Sequence, residues 1–511
     1  MKVLYIAAEC KPFSKVGGVG DVAGELPPAL KRRGVDIEIA TPLYGSIDPQ
    51  YVKKQTAKYK VTYARRSENV AVHGGDLRGV PVHFIKNATY FEGKYGKPYI
   101  FSEPVPFKDD ILRFAFFAEA CLRWIEKIKP DIVHVNDWPF GYLFGRMAME
   151  GYPQKRVLTI HNIGYQGNIW VPDIRGWDIA KLLKHPKTGP WFRDPRSDWK
   201  SVNALRLALE LADRANTVSP TYCEEMTRPE EEDAYFEGGK GLHEVARRRF
   251  DEGRLVGILN GFEYHREPTD EEFAKVLAEK AEAKRAIAHA FENPEAFLLG
   301  FVGRAVEQKF KLLAEPLDGK TVLEHLLELP LNVAILATGL REYESFIGNI
   351  ATRRFPGALV YDQLLEVPRR RNYACTIAFD RERARQISLG SDVFLMPSLF
   401  EPCGITQMES LSNATPPLVR YTGGLVDTVK PHTDAGGTGF GFAGRSRDEV
   451  LRNLIRSVAD ALALYNSDHK SFRQIQRNGF RVRFEWSTTA GEYLEKLYQP
   501  VMDPKAEARR P

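Results

Sequence analysis

The sequence lacks several features that would assign a chain to a protein class at once. It has only five cysteines in 511 residues, at positions 10, 121, 223, 375 and 403, and no Cys-x-x-Cys pair. This number and spacing exclude a disulfide framework and a structural zinc site, and they favour a reducing compartment, so we expect a cytoplasmic protein. No apolar run approaches the roughly 18 residues of a membrane-spanning helix. The apolar run after Lys2 is also too short for a signal peptide.

A large charge excess is also missing. Lys and Arg total 72 and Asp and Glu total 67, which leaves a net charge of +5. This balance does not indicate nucleic-acid binding, but it suits an anionic small molecule. The sequence has no His-Glu-x-x-His motif, no paired Cys/His spacing and no Gly-x-Ser-x-Gly elbow. We therefore expect chemistry that depends on fixed cations, with no metal and no cofactor.

Short apolar runs alternate with amphipathic helical patterns along most of the chain. The helical patterns include residues 109–129 and 274–291. The predicted strands are 3–8, 36–40, 82–85, 132–135, 156–160, 217–218, 297–302, 332–337, 358–361, 374–378, 393–396 and 417–420. Such alternation predicts βαβ units and parallel sheets. A dozen strands is unusually many for one open sheet, so we predict an α/β fold with two doubly wound domains.

The boundary between the two domains is predicted near residues 255–262. A strand-like run at 255–259 ends there in Asn260-Gly261, a strong turn signal. The N-terminal domain would then span residues 1–256 and the C-terminal domain residues 262–484. The polar tail, residues 503–511, is expected to be flexible.

Each predicted domain begins with a strand that leads into a loop suited to phosphate. In the first domain the loop 15–20 contains Lys15 and three glycines, whose backbone amides can approach a ligand at a helix start. In the second domain Arg304 and Lys309 are five residues apart. Two fixed cations there could hold a diphosphate and stabilise it as it leaves. Taken alone, each segment is equally compatible with an ordinary turn or with surface cations.

A more specific segment, residues 397–407, follows the apolar strand 393–396. It places Glu401 at the carboxyl end of a predicted parallel strand, where open α/β sheets bind ligands. Glu409 would lie inside the helix that starts near Gly404. Further on, Gly423-Gly424 forms a second turn before a helix and is a second candidate anion site. For Glu409 and Cys403, a structural role fits the pattern equally well.

Two polar residues end strands of the first domain. His161 follows the strand 156–160 and Asp137 follows the strand 132–135. Residues at such places often only cap a turn, so these two are weaker candidates for a functional role.

Taken in order, these motifs resemble one family. They are Lys15-Val16-Gly17-Gly18, Asp137-Trp138, His161-Asn162-x-x-Tyr165-Gln166-Gly167, Gly257-Ile258-Leu259-Asn260-Gly261, Arg304 with Gln308-Lys309, Phe400-Glu401-Pro402-Cys403-Gly404 and Thr422-Gly423-Gly424-Leu425. The set resembles the bacterial glycogen (starch) synthases, retaining glucosyltransferases of the GT-B fold, over about residues 1–498. The resemblance implies two Rossmann-like domains that face a central cleft, with a C-terminal helix at about 485–500 completing the first domain.

The resemblance also implies the reaction and the site. Glucose would pass from ADP-glucose to the non-reducing end of an α-1,4-glucan such as glycogen or a malto-oligosaccharide, with retention of configuration and without a metal. Neither nucleic acid nor membrane would be a partner. The implied catalytic residues are Arg304, Lys309, Glu401, His161 and Asp137. The implied donor contacts are Lys15, Gly18, Tyr95, Asn260, Cys403, Gly404, Thr422, Gly423 and Gly424, with Glu409 as the second carboxylate of an E-x7-E pattern.

The sequence departs from the family pattern at several positions. Phe310 follows Lys309 where Gly is usual, Leu399 replaces an Arg, and Pro139 stands where His is common. The charged catalytic candidates are all retained. A related transferase that uses UDP-glucose or another acceptor stays an alternative, as does a non-catalytic glucan-binding homologue, although the latter would be expected to lose its phosphate-binding cations.

Overall fold

The computed structural model describes residues 1–98, 108–197, 200–354, 359–361, 364–366 and 372–503. These residues form two compact units. The first comprises Met1–Glu230, Gly238–Gly261 and Glu485–Pro511, and the second comprises Glu231–Glu237 and Phe262–Phe484. In the described part of the chain, no helix combines the length and the apolar character that a membrane crossing requires. The predicted tail lies outside the described residues from position 504 onward.

The first unit is built around a nine-stranded sheet in the order β11-β10-β7-β6-β1-β2-β5-β4-β3. Its strands are β1 (Lys2–Ile6), β2 (Asp36–Pro42), β3 (Gln55–Tyr63), β4 (Arg66–Leu77), β5 (Val80–Lys86), β6 (Ile132–Asn136), β7 (Lys155–Ile160), β10 (Arg214–Thr217) and β11 (Leu255–Gly257). A separate hairpin pairs β8 (Asn168–Trp170) with β9 (Ser201–Asn203). The seven strands from β11 to β5 run parallel, and β1, β6 and β7 are almost wholly buried.

An antiparallel extension of this sheet was not predicted from the sequence. Strands β3 and β4 pair with each other, and β4 pairs with β5. The turn between β3 and β4 is formed by Ala64 and Arg65, both at positive φ (51° and 62°). Neither is a glycine or asparagine, so the usual hairpin signal is absent from the sequence.

Helices cover this sheet. They are α1 (Gly18–Arg32), α2 (Ala88–Phe91), α3 (Lys108–Ile128), α4 (Gly141–Glu150), α5 (Lys181–Lys184), α6 (Gly189–Phe192), α7 (Ala204–Leu211), α8 (Pro220–Glu225) and α9 (His243–Asp251). Their apolar faces and the sheet share one continuous core. The predicted helix at 109–129 is therefore confirmed as α3.

The second unit has an eight-stranded sheet in the order β16-β17-β18-β15-β12-β19-β20-β21. Its strands are β12 (Leu298–Ala305), β15 (Asn332–Gly339), β16 (Leu359–Tyr361), β17 (Leu364–Glu366), β18 (Tyr373–Thr376), β19 (Val393–Met396), β20 (Pro417–Arg420) and β21 (Phe440–Phe442); β13 (Pro316–Leu317) and β14 (Lys320–Thr321) form a small hairpin. The strands from β18 to β21 run parallel, whereas β16 and β17 are antiparallel. The predicted strand at 358–361 is thus not part of the parallel array, and its first residue lies outside the described residues.

The helices of the second unit flank this sheet. They are α10 (Asp270–Ala288), α11 (Glu307–Ala314), α12 (Val322–Leu326), α13 (Arg341–Arg354), α14 (Arg381–Gly390), α15 (Thr406–Ser412), α16 (Gly424–Thr428), α17 (Arg447–Ser467) and α18 (His469–Arg481). The doubly wound α/β architecture predicted from the sequence is confirmed in both units.

The chain returns to the first unit after Phe484. Helices α19 (Trp486–Tyr493) and α20 (Gln499–Met502) flank a π-helical turn, Leu494–Tyr498. The hydroxyl of Tyr498 lies 2.6 Å from Nδ1 of the buried His134, and the hydroxyl of Tyr493 accepts a 3.0 Å hydrogen bond from Nδ2 of Asn216. These bonds fix the returning segment to β6 and β10.

Candidate active site

Predicted residues of the second unit gather at the carboxyl ends of its parallel strands. Arg304 lies one residue before the end of β12 and is exposed, and Lys309 lies in the first turn of α11. The Lys309 ammonium forms an ion pair with the carboxylate of Glu401, which follows β19 and is only 7% exposed. Ser398 donates a 3.2 Å hydrogen bond from its hydroxyl to the same carboxylate. The fold thus places cations and a buried carboxylate at one edge of the sheet.

The loop that carries Glu401 is held by backbone contacts on both sides. The side-chain amide of Gln308 donates to the carbonyl of Phe400 at 2.9 Å, and the amide of Leu399 donates to the carbonyl of Gln308 at 2.8 Å. The guanidinium of Arg420, at the end of β20, donates to the carbonyl of Leu399. Because these contacts fix the backbone around Glu401, the carboxylate has a defined position before any ligand arrives.

Arg420 has a second role that the sequence did not indicate. Its guanidinium also donates to the carbonyls of Ala234 and Tyr235, at 2.6 and 2.8 Å. Residues 230–233 are exposed, and the segment Glu231–Glu237 belongs to the second unit, where the buried Arg420 helps to hold it.

The two glycine-bearing segments predicted to bind an anion pack directly against each other. The amide of Gly424 donates to the carbonyl of Glu401 at 2.9 Å. A Cβ at Gly423 would overlap that carbonyl, and one at Gly424 would overlap the backbone of Cys403. Gly423 has φ +49° and immediately precedes α16. Only glycine permits this close approach, so the Gly-Gly pair sets the spacing between the two loops.

The other predicted residues of this edge differ in exposure. Thr422 and Cys403 are 5% exposed, and Gly404 has φ +77° in the turn before α15. Glu409 lies within α15 and is exposed. As predicted, Glu401 precedes the helix and Glu409 lies inside it, so the two carboxylates have different surroundings.

The departures from the family pattern are packing residues. Phe310 is completely buried and contacts the rings of Phe301, Tyr343 and Phe346 at centroid distances of 5.4, 5.9 and 6.1 Å. Leu399 is 9% exposed within the core of the second unit. Pro139 is buried in the 3₁₀ turn Trp138–Phe140 of the first unit. Each position is filled by apolar packing in place of the usual family residue.

In the first unit, Lys15 and the glycine loop follow β1. The Lys15 ammonium forms a 2.7 Å ion pair with Asp21, and Gly18 is the first residue of α1. The backbone amides of Val16 and Gly17 donate to the carboxylate of Glu9. Glu9 was not among the predicted residues, although its place directly after a buried strand was the available signal. The inward-facing amides of the loop are therefore already bonded to a carboxyl group of the chain itself.

Asp137 and His161 follow the neighbouring strands β6 and β7 and are in direct contact. The amide of His161 donates to Oδ1 of Asp137 at 2.6 Å, and Asp137 has an unusual φ of +58°. Burial lowers the pKa of His161 to about 3. Burial also raises the pKa of Asp137 to about 7, although hydrogen bonds from two backbone amides lower it. The imidazole is therefore neutral at physiological pH.

The contacts of His161 define which nitrogen carries its proton. Nε2 lies 2.9 Å from Oδ1 of Asn136, which also accepts a 2.9 Å hydrogen bond from the hydroxyl of Tyr5. Because an amide oxygen only accepts, Nε2 is protonated and Nδ1 is left as an acceptor. Asn136 in turn donates through Nδ2 to the carbonyl of Ile6 at 3.0 Å, which fixes its orientation.

Tyr95 and Asn260 have separate surroundings within the first unit. Tyr95 ends the 3₁₀ turn Gly93–Tyr95 and donates to Asp109 at 2.9 Å. Asn260 is 4% exposed, and its Oδ1 has no hydrogen-bond partner among the described residues. A buried amide oxygen without a hydrogen-bond partner in the described structure can accept a hydrogen bond from a ligand.

An exposed aromatic residue that was not predicted lies near the carboxyl end of β18. Phe379 is 80% exposed, and the guanidinium of Arg381 lies 5.8 Å from its ring centre. Because β18, β15 and β12 are parallel neighbours, Phe379 and Arg304 lie at the same edge of the sheet. Within the described residues, no cluster of three or more His, Cys, Asp or Glu side chains could hold a metal ion.

Comparison with known proteins agrees with this architecture. The "Starch synthase catalytic domain" family matches residues 2–248, and the "Glycosyl transferases group 1" family matches residues 375–477. The chain is 32% identical to a glycogen synthase of Clostridioides difficile, over 98% of this chain and 100% of the relative. It is 34% identical to a glycogen synthase of Anaeromyxobacter, over 99% of this chain and 100% of the relative.

A solved structure supports the same assignment. The catalytic domain of starch synthase IV from Arabidopsis thaliana, bound to ADP and acarbose, matches with a TM-score of 0.77 and 27% identity, covering 98% of this chain and 99% of that one. Two doubly wound units with these matches define a glycosyltransferase of the GT-B fold. The chain belongs to the glycogen and starch synthase family, which confirms the resemblance inferred from its motifs.

Proposed function

We propose that this enzyme transfers glucose from ADP-glucose to the non-reducing end of an α-1,4-glucan, with retention of configuration. The observation that carries the proposal is the cluster of Arg304, Lys309 and Glu401 at the carboxyl edge of the second sheet. Family membership supports the reaction, and the starch synthase IV structure contains ADP and acarbose.

In the proposed reaction the second unit holds the donor. Negative charge grows on the diphosphate as the bond to glucose breaks, and Arg304 and Lys309 neutralise that charge. Thr422, Gly423 and the Cys403-Gly404 backbone are proposed to contact the phosphates, whereas the amide of Gly424 already donates to the carbonyl of Glu401, so Gly424 shapes the turn. Because the loops are already fixed by their mutual packing, little reorganisation is needed when the charge develops.

Glu401 has a different proposed role, which is to hold hydroxyls of the donor glucose. Its carboxylate is buried and bonded to Lys309 and Ser398, so its remaining lone pairs have a fixed direction. The ion pair also keeps the Lys309 ammonium beside the site when no donor is bound. Glu409, exposed on α15, is proposed as a donor contact of lesser importance.

The nucleotide base has a proposed contact in Phe379. An aromatic side chain that is 80% exposed at this edge offers a flat apolar face. Stacking of a base on such a face gives affinity with little dependence on the identity of the base. Phe379 therefore contributes to nucleotide affinity, and discrimination between ADP and UDP donors has to come from other contacts.

In this proposal the first unit supplies buried hydrogen-bonding groups together with the Lys15 ammonium. The unprotonated Nδ1 of His161 accepts a hydrogen bond from a hydroxyl of the transferred sugar, and Asp137 holds the backbone amide of His161. Lys15 and Gly18 contact the donor diphosphate, and Tyr95 and Asn260 contact the donor. The unpartnered Oδ1 of Asn260 supports the last assignment.

The proposed chemistry uses no metal or cofactor, because the fixed cations and backbone amides are proposed to carry the charge of the leaving diphosphate. We also propose a cytoplasmic location. All five cysteines are buried and none of them forms a disulfide, which suits a reducing compartment.

Parallel assays with labelled donors test the proposed function. Purified enzyme would receive ADP-[¹⁴C]glucose or UDP-[¹⁴C]glucose with glycogen, each with and without EDTA, and the product would be digested with α-amylase. We expect incorporation from ADP-glucose to be at least tenfold faster, insensitive to EDTA and fully released by amylase. Faster transfer from UDP-glucose would overturn the donor assignment, and loss of transfer in EDTA that Mg²⁺ restores would overturn metal independence. No transfer from either donor would support a non-catalytic homologue.

A further inference from the structure

The glycine loop of the first unit contains a carboxylate where a ligand anion was expected. Glu9, three residues after the end of β1, is 1% exposed. Its carboxylate accepts hydrogen bonds from the amide of Val16 and from the amide of Gly17, the latter at 3.1 Å. The backbone amide of Gly20 also donates to it. Glu9 therefore binds the inward-facing amides of the loop in the way a bound anion would.

The glycines of the loop make room for this carboxylate. A Cβ on Gly20 would lie 3.3 Å from Oε2 of Glu9 and 3.2 Å from Cγ of Lys15, and a Cβ on Gly17 would lie 3.6 Å from Oε1. The tight fit at Gly20 means that a methyl group there would push against both neighbours. The glycine pattern is thus explained in part by Glu9 and not only by an external ligand.

The rest of the loop is closed by its own backbone. The amide of Cys10 donates to the carbonyl of Ser14 at 2.9 Å, and the amide of Lys11 donates to the carbonyl of Gly20 at 2.9 Å. The exposed residues of the segment 9–20 are Lys11, Pro12, Lys15, Val16 and Gly18. The carboxylate holds one side of the loop while the opposite side is presented to solvent.

We propose that Glu9 is a positioning residue, whose carboxylate turns the amides of Val16 and Gly17 inward and thereby fixes Lys15 and Gly18 for contact with the donor diphosphate. This inference rests on the proposed function, in which Lys15 and Gly18 are donor contacts. Glu9 itself touches neither the donor nor the acceptor.

Glu9 also has a buried acidic neighbour. Asp137 lies close enough for the charge of Glu9 to help raise the pKa of Asp137, and burial raises the pKa of Glu9 itself to about 7. The amides of the loop lower the pKa of Glu9 and so favour its charged form. A neutral replacement would weaken these bonds without changing the shape of the side chain.

The test compares Glu9→Gln with Glu119→Gln. Glu119 is a buried carboxylate of the same unit, 8% exposed, bonded to Tyr142 and Arg146. It is therefore a matched control for loss of a buried charge away from the loop. Gly20→Ala is a second variant, because its methyl group would press on the carboxylate without removing it; since it also presses on Lys15, its exchange rate and not its kcat is the readout for Glu9.

Two readouts would be measured on the full chain. The first is hydrogen exchange at the amides of residues 16–20, which does not depend on any substrate. The second is the separation of kcat from KM for the donor and for glycogen. We expect Glu9→Gln and Gly20→Ala to speed exchange at residues 16–20 at least tenfold, and Glu9→Gln to lower kcat at least tenfold, with KM for glycogen unchanged. Glu119→Gln should lower Tm but change neither readout.

The possible results separate this inference from the proposed function. Unchanged exchange in Glu9→Gln would show that Glu9 does not hold the loop. Faster exchange with kcat within twofold of wild type would show that the order of the loop does not matter for catalysis. Either result overturns the inference, as does an equal loss of kcat in Glu119→Gln. If the wild-type enzyme transfers no glucose from ADP-glucose, the proposed function fails, and with it the positioning role, whereas the exchange data alone decide whether Glu9 orders the loop.

Discussion

The strand ends of the two units are built on different electrostatic principles. In the first unit, Glu9, Asp137 and His161 are all at most 9% exposed, and the imidazole is neutral. In the second unit, Arg304 is exposed and Lys309 forms an ion pair with Glu401. The first edge therefore offers hydrogen bonds in a dry environment and the second offers fixed charge. The same doubly wound architecture can hold both kinds of site, because the strand ends determine where the functional residues lie and the side chains determine their chemistry.

The largest expected effect lies on the charged edge. Arg304→Ala and Lys309→Ala should each lower kcat by about 10²–10³, because each loses a cation that stabilises the departing diphosphate. Steady-state kinetics with ADP-glucose and glycogen would measure this.

Lys311→Ala is the matched control for these two variants. Lys311 is in the same helix as Lys309 and pairs only with the exposed Glu307 in the described structure. It should retain wild-type kcat. Near wild-type turnover in both cation variants would contradict the assignment of the charged edge.

On the dry edge the expected effect is smaller. His161→Phe keeps a ring of similar size but removes one neutral hydrogen bond to the sugar, worth about 1 kcal/mol, so kcat should fall about tenfold or less. The buried His134, bonded to Tyr498 and Thr159, provides the control. His134→Phe should lower Tm without a change in kcat of the folded enzyme. A 10³-fold lower kcat in His161→Phe would contradict the prediction that this residue matters less for turnover than Arg304 and Lys309.

A third prediction concerns the exposed aromatic ring of the charged edge. Phe379→Ala should raise KM for ADP-glucose about fivefold with little change in kcat, since stacking of a base is worth at least about 1 kcal/mol. Phe379→Tyr should behave as wild type. Trp170 is also exposed, at 64%, but lies in the first unit, so Trp170→Ala should leave KM for the donor unchanged. Equal KM values for Phe379→Ala and wild type would remove Phe379 from the donor site.

The last expected effect is on the pH dependence of stability and not on turnover. Burial lowers the native pKa of His161 and His134 to about 3. Below about pH 6.5 the unfolded chain therefore binds more protons than the native state, and the free energy of unfolding decreases as the pH decreases. Burial raises the native pKa of Asp137 and Glu9 to about 7, so between about pH 7 and 4 the native state binds more protons and stability rises as pH falls. Between about pH 6.5 and 4, the contributions of the two histidines and of the two carboxyl groups to the free energy of unfolding therefore have opposite signs.

Replacing one of these carboxyl groups should change how the free energy of unfolding depends on pH. In the wild type, the native state gains stability as Asp137 binds a proton, and Asp137→Asn removes this gain. When the pH is lowered from about 6.5 to 5, the free energy of unfolding of the variant should therefore decrease by about 1.4 kcal/mol per pH unit more than that of wild type. Urea unfolding at pH 7, 6 and 5 would measure the difference. The same dependence of stability on pH in the two proteins would show that the pKa of Asp137 is not raised in the native state.

Much of the architecture was predictable because local patterns and topology agree. Parallel strands are buried on both faces and so produce short apolar runs, and polar residues directly after them mark the carboxyl edge of the sheet. This reasoning located Arg304, Lys309 and Glu401 on one edge and Asp137 and His161 on the other. It also predicted that Glu409 would lie inside the helix that Glu401 precedes.

What the sequence did not reveal depends on tertiary contacts. The turn at Ala64 and Arg65 has no glycine or asparagine, so nothing local marks the β3–β4 hairpin. Arg420 looked like an ordinary strand end, and only the folded chain brings it to the carbonyls of Ala234 and Tyr235. Glu9 resembled a polar residue that merely ends a strand, because its partners are amides rather than side chains.

The return of the chain to the first unit affects the order of events during synthesis on the ribosome. His134, Thr159 and Asn216 are buried polar residues whose partners Tyr493 and Tyr498 are translated 277 to 364 residues later. Until those tyrosines emerge, the polar groups on β6, β7 and β10 lack their final partners. The second unit, by contrast, is complete once Phe484 has been made. The first unit is therefore finished after the second, because its buried hydrogen bonds are completed only when Tyr493 and Tyr498 have been made.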